Sequence, residues 1–387
     1  KPFKFPPPDG YQPLNAANTR PVKVISRPNQ YVGVTTYTGT TGGGTIKDHN
    51  ILFTPDLVWV KNRTSAEDHK LYDTVRGESG GNFYNLEPNT TATSVTESGA
   101  VTSMIEGGFT STGGGHINSN GAPFVSWMWK AGGSKNTFNV DDVGYASAAA
   151  AGLTGGDITP TGASVGTKQG FSIIEFTGSG SGTPSIPHGL SEAPTFIVQK
   201  DTGASTSWRV FAYDGSTWKI GNLNNTDALV NATETAPTSS LFYANGNGNA
   251  TNTQIAYVWH DVPGLQKFGT YEGSGVAGNY VHLGFRPALL WIKNIDSTAI
   301  NNWGIIDSTR SYANVGNHTL ATNLNNVESY YGDGASVFGS GNKIDLLSDG
   351  FRLQETSGFG NTSGITFLYC AWAEAPSIDL YGGGANA

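Results

Sequence analysis

Residues 55–61 read Pro55-Asp56-Leu57-Val58-Trp59-Val60-Lys61, and this order of proline, apolar run and lysine returns twice further along the chain. The second and third versions are PTFIVQK at residues 194–200 and PALLWIK at residues 287–293. A proline just before a strand removes no hydrogen bond from a sheet, and alternate side chains of a strand share one face. Each segment therefore predicts a short β-strand. We expect Trp59, Phe196 and Trp291 to coincide when the three copies are superposed.

Further landmarks accompany each of these strands in the same order. An aromatic-x-glycine strand end precedes it, a strand with an acidic residue and an asparagine-rich stretch follow it, and a strand ending in tryptophan closes the copy. The opening aromatics are Tyr37, Phe176 and Tyr271, and the closing tryptophans are Trp129, Trp259 and Trp372. Each copy spans roughly 100 residues, a length that suits a β-sandwich domain of short strands. The closing tryptophans are predicted to be buried.

The chain is therefore predicted to be all-β, with three tandem β-sandwich-like repeats and an extended N-terminal arm. The predicted segments are a proline-rich arm at 1–30, β repeats at 31–130, 168–262 and 266–376, a connector rich in Gly, Ala, Ser and Thr at 131–167, and a glycine-rich tail at 377–387. The connector is interpreted as a long linker or a packed arm. The apolar residues of 1–30 are too few to bury one another, so we expect this arm to lie across the first repeat or a neighbouring subunit.

Composition and charge favour the same fold class and disfavour two kinds of partner. Glycine accounts for 53 of 387 residues and charged residues for only 13%, which is typical of turn-rich β proteins rather than helical ones. The net charge is −8 and no run of Lys or Arg occurs, so a nucleic-acid partner is not expected. The longest apolar stretches are far shorter than the ~20 residues of a membrane span. The single cysteine, Cys370, gives no internal disulfide framework.

The sequence predicts no catalytic residue, no metal site and no cofactor. The histidines lack the spacing that holds a transition metal, and His69, His188 and His282 lie near turns or strand ends. Asp141 and Asp142 are adjacent, so they are interpreted as solvated charges rather than as a pair for glycoside hydrolysis. Calcium stays open, because the loops at 296–302 and 345–349 are rich in oxygen ligands but lack a known ligand spacing.

The tryptophans permit two interpretations. Those at matched positions of the repeats are predicted to be core residues. Trp208, Trp218 and Trp303 are not all matched, and each is a candidate platform on which a host glycan stacks. Cys370 occupies the slot of Trp127 and Tyr257, which predicts a small buried core residue rather than a nucleophile.

Several stretches resemble a known group of proteins. They are VWVKNR at 58–63, DHKLYD at 68–73, WMWKAG at 127–132 and PHGL at 187–190. With them the repeat resembles β-domains of tail-fibre and other virion appendage proteins of tailed phages, especially marine phages and cyanophages. The resemblance touches most of residues 1–376 and consists of patterns rather than of chemistry.

The resemblance implies a structural protein of the virion surface, outside the cell, that serves as a tail fibre or spike and is not an enzyme. Its expected role is mechanical, with adhesion to host surface glycan. Its expected partners are other copies of itself, in a trimer by analogy, and other virion proteins. One alternative is a capsid-decorating protein or a subunit of an external filament. The other is a polysaccharide depolymerase, against which three similar domains argue, because a catalytic cleft normally occupies one distinct domain.

Overall fold

A computed structural model describes residues 24–113, 115–244, 246–296, 302–329, 343–356 and 360–375. Across these ranges the chain forms 29 strands and three short 3-10 helices, Pro28–Gln30, Gly115–Ile117 and Gly246–Asn249. The same ranges contain no α-helix, so the predicted all-β fold class is confirmed. Most of the N-terminal arm and the whole glycine-rich tail lie outside the described residues. Of the arm, Ile25 donates its backbone N–H to Pro263 O, between the second and third repeats, at 3.0 Å.

The first repeat consists of a large and a small antiparallel sheet. Its strands are β1 (Val32–Thr38), β2 (Gly44–Lys47), β3 (Leu57–Asn62), β4 (Lys70–Asp73), β5 (Glu78–Ser79), β6 (Asn82–Phe83), β7 (Asn85–Leu86), β8 (Val101–Ile105), β9 (Gly108–Ser111) and β10 (Pro123–Trp129). The large sheet has the order β1-β10-β3-β4-β7, and the small sheet has the order β2-β9-β8. β3 is the proline-preceded heptapeptide strand, and it lies in the centre of the large sheet.

The connector adds strands to the second repeat instead of separating two domains. It contains β11 (Phe138–Val140), β12 (Val143–Tyr145) and β13 (Gly162–Gly166). The second repeat continues with β14 (Phe171–Thr177), β15 (Ser185–Pro187), β16 (Phe196–Asp201), β17 (Arg209–Tyr213), β18 (Trp218–Asn222), β19 (Val230–Asn231), β20 (Leu241–Tyr243) and β21 (Thr253–Trp259). Together they form a nine-stranded sheet, β12-β11-β13-β14-β21-β16-β17-β18-β19, and the pair β15-β20.

The third repeat returns to the plan of the first. Its strands are β22 (Gln266–Glu272), β23 (Asn279–His282), β24 (Pro287–Asn294), β25 (Gly304–Asp307), β26 (Leu320–Ala321), β27 (Ile344–Leu347), β28 (Gly350–Leu353) and β29 (Thr366–Ala373). The large sheet is β22-β29-β24-β25-β26 and the small sheet is β23-β28-β27. In all three large sheets the opening strand pairs with the closing strand, which pairs with the heptapeptide strand.

The expected superposition of Trp59, Phe196 and Trp291 is wrong by two residues. Trp59 pairs with Trp127 and Trp291 with Cys370, whereas Phe196 pairs with the closing tryptophan Trp259. The residue equivalent to Trp59 is Val198, which pairs with Tyr257. The sequence match rested on the aromatic ring of Phe196. However, Phe196 follows Pro194 at the same spacing at which Leu57 follows Pro55.

Each heptapeptide strand is buried on both faces. In β3, Leu57 and Trp59 lie in a central core, while Val58 and Val60 lie in a separate core beneath the small sheet. The other two large sheets divide their side chains in the same way between the central core and their own outer cores. The three large sheets therefore surround one shared core, and the repeats are sandwich-like layers of a single closed body.

The closing tryptophans lie in this central core and are buried, as predicted from the repeat. Trp129, Trp259 and Trp372 are 2%, 2% and 0% exposed. The ring of Trp372 contacts Trp129 and Trp259, with ring centroids 5.5 and 6.2 Å apart. Because these residues come from different repeats, the repeats stabilise one another through their largest side chains.

Replacing Trp259 by alanine is expected to lower the free energy of unfolding by about 3–5 kcal/mol, since it removes a fully packed aromatic ring. Because the core is shared, the variant should still unfold in one transition rather than lose the second repeat alone. Urea unfolding followed by circular dichroism and by tryptophan fluorescence measures both quantities. Trp218→Ala, at a half-buried ring outside the central core, is the matched control and should cost less. Separate transitions for separate repeats would contradict the shared core.

Candidate functional site

Two of the three tryptophans predicted as glycan platforms cannot serve that role. Trp208 and Trp303 are both 0% exposed, so neither presents a ring face to solvent. Their indole N–H groups donate to backbone carbonyls of the preceding repeat, Trp208 to Glu87 O at 3.0 Å and Trp303 to Asn222 O at 3.1 Å. The prediction for these two residues is wrong because they occupy matched positions at a contact between repeats.

His69 holds the same position in the first repeat. The backbone N–H groups of His69, Trp208 and Trp303 each donate to an asparagine side chain, those of Asn89, Asn224 and Asn323. The His69 Nε2 atom lies 2.9 Å from Ala321 O of the third repeat, and its Nδ1 atom accepts from Trp59 Nε1 at 2.8 Å. Nε2 therefore carries the proton that bonds the third repeat, and burial holds the pKa of His69 well below its ordinary value. The contacts run from repeat two to one, three to two and one to three, so they form a closed ring.

A second set of polar contacts joins two of the three junctions. Tyr257 donates its hydroxyl to Asp73 Oδ2 at 2.7 Å, and Trp127 donates its indole N–H to Asp307 Oδ2 at 3.0 Å. Each aspartate also pairs with an arginine three residues later, Arg76 or Arg310. At the third junction the corresponding positions are Cys370 and Ala212, which are 1% exposed. The predicted burial of Cys370 in the slot of Trp127 and Tyr257 is confirmed.

The lysines that end the three heptapeptides are buried inside loops. Lys61 Nζ donates to Asn62 O at 2.7 Å, and Lys200 Nζ donates to Asp201 O at 2.8 Å. Lys293 Nζ reaches Thr226 O of the second repeat at 3.2 Å. Burial lowers the pKa of Lys61 and of Lys200 to about 8 and that of Lys293 to about 7. These ammonium groups hold loop carbonyls together, which is a structural role.

Trp218 is the one predicted platform that stays partly accessible. Its ring lies beside Tyr213, with centroids 5.8 Å apart, and packs on the outer core of the second repeat. The neighbouring Lys219 Nζ lies 3.3 Å from Asp214 and 2.7 Å from Asn231 Oδ1. Trp218 remains a candidate as a half-buried ring, whereas Lys219 pairs with Ala212 and faces the other side of the sheet.

A further concave site lies where the first repeat meets the connector. It is a cleft of about 480 Å³, within the size range of small-molecule sites. Its polar lining comes from distant parts of the chain: Gln30, Tyr31, Glu106, Lys130, Asp142 and Lys168. Leu52, which is 44% exposed, and Phe53 add apolar surface. No sequence motif marks this cleft, because its residues meet only when the connector folds back on the first repeat.

One wall of the cleft is the hairpin turn between β11 and β12. Asp141 and Asp142 both have positive φ, 48° and 66°, as a two-residue turn of this hairpin type requires. The Asp141 carboxylate accepts from the backbone N–H and the hydroxyl of Thr167, at 2.9 and 2.5 Å. Asp142 is exposed, and its Oδ1 atom accepts from Lys130 Nζ at 2.6 Å. Reading both as solvated charges is therefore wrong for Asp141, whose carboxylate fixes the turn.

Hydrogen bonds to buried side chains fix the backbone beside Lys130. The buried Asp56 carboxylate accepts from the N–H groups of Ala131 and Gly133, at 2.8 and 3.1 Å. Gln169 Nε2 donates to Ala131 O at 2.6 Å. Burial raises the pKa of Asp56, and the charge of Lys130 and these N–H groups oppose the rise. The cleft thus has a preformed floor.

The cleft combines charges of both signs with an aromatic edge. Lys168, Glu106 and Asp142 are exposed around it, while the Lys130 ammonium is balanced by Asp142. Such a lining offers donors and acceptors without a strong net charge. It suits an uncharged or zwitterionic polyhydroxylated ligand, such as a saccharide, better than a polyanion.

No group of three or more His, Cys, Asp or Glu side chains able to hold a metal ion occurs in the part of the chain that the structure describes. Of the two candidate calcium loops, 297–301 lies outside the described residues, and Asp345 accepts from Arg352 at 2.7 Å. Within the described ranges no helix is long and apolar enough to cross a bilayer.

His188 is predicted to make the fold sensitive to acid. Its Nδ1 atom accepts from Leu190 N at 3.1 Å, and its Nε2 atom lies 3.1 Å from Thr238 O, so the neutral ring fits the site. Burial lowers the pKa of His188 to about 4, below the ordinary value of 6.5. The unfolded chain therefore takes up the proton first, and the stability that His188 contributes is lost as the pH falls from about 6.5 towards 4.

Urea midpoints measured between pH 7 and pH 4.5 test this sign. The free energy of unfolding obtained from them should decrease less with falling pH in His188→Gln than in the wild type. The difference should be on the order of 3 kcal/mol at most. His282→Gln, at an exposed histidine, is the control for removal of a histidine side chain. An equal decrease in His188→Gln and in the wild type would contradict the assignment.

A comparison with protein families gives one match. A family model described as "Domain of unknown function (DUF7483)" matches residues 27–376. The match covers all three repeats and the connector. No curated protein matches the chain.

Proposed function

The chain belongs to the DUF7483 family, whose function is unknown, and we propose that it is a non-enzymatic structural protein of a phage virion, a tail fibre or spike. In this proposal the closed three-repeat body is a rigid appendage at the virion surface. Its connector cleft binds host saccharide, and its other partners are virion proteins. The observation that carries the proposal is the shared tryptophan core with its closed ring of contacts between repeats, combined with a preformed polar cleft on the outside.

The mechanical part rests on the way the repeats are joined. The His69, Trp208 and Trp303 contacts link every repeat to the next, so that no repeat can leave without breaking two junctions. Ion pairs with buried arginines reinforce two of the junctions. A body joined in this way resists stepwise unfolding, which suits a part exposed to shear outside a particle.

The adhesive part rests on the cleft. Its volume accommodates one or two sugar rings, and the Asp56 and Asp141 hydrogen bonds fix the backbone beside Lys130 and the hairpin turn before any ligand arrives. A preformed site loses less conformational entropy on binding than a mobile one. Mixed charges around Tyr31 supply hydrogen bonds for hydroxyl groups and an edge for the apolar face of a sugar.

The non-enzymatic part rests on the state of the carboxylates. Glycoside hydrolysis needs one carboxylic acid and one carboxylate facing a common bond. In the cleft, Asp141 is occupied by Thr167 and Asp142 by Lys130, which leaves Glu106 without a second carboxylate free for that chemistry. Binding without turnover is the activity that this lining favours.

The location is tested on intact particles. Purified virions from a phage that encodes the chain are examined by mass spectrometry and by electron microscopy with gold-labelled antibodies against the protein. Gold on fibres or spikes supports the proposal, gold distributed over the capsid supports the decorating alternative, and no label on intact virions refutes both. Release of reducing sugar ends from host polysaccharide by the purified protein would establish the depolymerase instead.

Lys130→Ala is expected to weaken binding of the purified protein to host cells or to isolated host polysaccharide at least tenfold, because it removes the central donor of the cleft. Lys219→Ala is the matched control, since both lysines are paired with an aspartate and have similar exposure, 17% and 21%. Sedimentation with cells and affinity electrophoresis measure the binding, and urea unfolding checks that both variants fold. If Trp218→Ala weakens binding and Lys130→Ala does not, the saccharide site lies at Trp218 rather than in the cleft.

A further inference from the structure

The outer face of the third small sheet carries an arrangement that the connector cleft does not explain. On this face Tyr280 of β23, Arg352 of β28 and Asp345 of β27 lie side by side, because Tyr280 pairs with Arg352 and Arg352 with Asp345. The alternate residues Val281, Phe351 and Leu346 are buried beneath them in the outer core. Tyr280 is 43% exposed, although most aromatic side chains of the repeats are buried.

The Tyr280 ring lies beside a glycine of the neighbouring strand. Gly350 lies on β28 two pairs further along the sheet, opposite His282, and a Cβ atom there would lie 2.1 Å from Val281 O and 3.2 Å from Tyr280 Cε2. The ring therefore lies across the backbone of Gly350 rather than standing up from the sheet. Its hydroxyl is 3.2 Å from His282 Nδ1 and 3.4 Å from Asp349 O. These contacts hold the ring flat against the sheet, and part of the ring stays exposed to solvent.

The polar groups beside the ring are fixed and nearly neutral as a set. Arg352 donates from Nε and Nη2 to Asp345 Oδ2, at 3.0 and 2.7 Å, and Gln354 Nε2 donates to the same oxygen at 2.6 Å. The Asp345 side chain is 5% exposed, whereas that of Arg352 is 42% exposed. The guanidinium thus keeps outward-facing N–H donors while its charge is balanced by a buried carboxylate.

We propose that this face of the third small sheet, formed by Tyr280, His282, Arg352, Asp345 and Gln354, is a second binding site for a neutral sugar ring. The apolar face of a pyranose packs on Tyr280, and the guanidinium and amide groups beside it bond to the hydroxyls. A neutral sugar fits better than an acidic one, because the Arg352 charge is already balanced by Asp345. The site does not depend on the connector cleft, although it would serve the same adhesive function.

The first repeat shows that the fold does not require this arrangement. Its small sheet has the same strand order, and Gly108 of β9 is the counterpart of Gly350. The residues that correspond to Tyr280 and Arg352 are Thr45 and Thr110. The aromatic ring and the guanidinium are therefore particular to the third repeat, as expected of a binding surface rather than of a folding requirement.

The test is affinity electrophoresis of the full chain in gels that contain neutral polysaccharides (dextran, mannan or laminarin), with gels containing alginate as the anionic comparison. The wild type should be retarded by at least one neutral polymer. Tyr280→Ala should lose at least tenfold of that affinity, and Tyr280→Phe, which keeps the ring, should retain most of it. Tyr312→Ala is the control for loss of an exposed tyrosine, because Tyr312 is 86% exposed and lies outside the three strands of this sheet. Lys130→Ala is run alongside, so that failure of the cleft is distinguished from failure of the sheet site.

Loss of retardation in Tyr280→Ala, with Tyr312→Ala unchanged, supports the second site, whether or not Lys130→Ala also reduces retardation. Retardation that Tyr280→Ala leaves intact overturns it, whether or not Lys130→Ala reduces it. Retardation by alginate alone, or by no polymer at all, also overturns it. Circular dichroism confirms that each variant is folded, and Tyr280→Phe keeps the test decisive if Tyr280→Ala does not fold.

Discussion

Packing of tryptophan rings around one shared core is the constraint on which the other layers depend. Trp372 contacts Trp129, Trp259 and Trp291, and the rings cross at 65° to 71°. The indole N–H groups of these four residues have no hydrogen-bond acceptor in the described part of the chain. Edge-to-face crossing directs ring edges towards neighbouring π faces, which offers such groups a weak acceptor in place of water. The core therefore combines a large buried apolar area with a geometry that fixes how the sheets face one another.

The polar contacts at the junctions explain why three diverged copies keep one arrangement. His69, Trp208 and Trp303 differ in chemistry, yet each reaches a carbonyl of the preceding repeat, so the position conserves a donor rather than a residue type. At the neighbouring position two junctions use a buried aspartate with an aromatic donor, and the third uses Ala212 and Cys370. A buried ion pair is neutral or costly compared with a well-packed apolar pair, but removing one partner alone is strongly destabilising. Either arrangement, the aspartate with its aromatic donor or the pair of Ala212 and Cys370, is therefore stable only when both partners are present.

The strand landmarks were predictable from the sequence, because proline, alternation and a closing tryptophan act within a few residues. The all-β fold class and the burial of Trp129, Trp259 and Trp372 followed from them. The shared core was not predicted, although the continuous apolar run from Leu57 to Val60 is the pattern of a strand buried on both faces. Trp208 and Trp303 were misassigned because their match to His69 is visible only through the hydrogen bonds. The cleft was beyond sequence reasoning, since Tyr31, Lys130 and Asp142 meet only through the fold of the connector.

The arrangement of the three large sheets around one core also bears on whether copies of the protein associate through their edge strands. Unpaired edge strands invite association with other chains, and three separate sandwiches would expose several of them. Here β13 of the connector pairs with β14, and the opening strand β22 is fastened to the second repeat by Thr270 Oγ1, which donates to Asp214 O at 2.9 Å. In the first repeat, the Thr309 hydroxyl of the third repeat reaches Val34 O of β1 at 3.4 Å. The opening strands β22 and β1 are thus joined to neighbouring repeats within one chain. Contacts between repeats of one chain therefore supply part of the edge protection that separate sandwiches would take from other subunits, and the outer faces of the small sheets remain available for ligands.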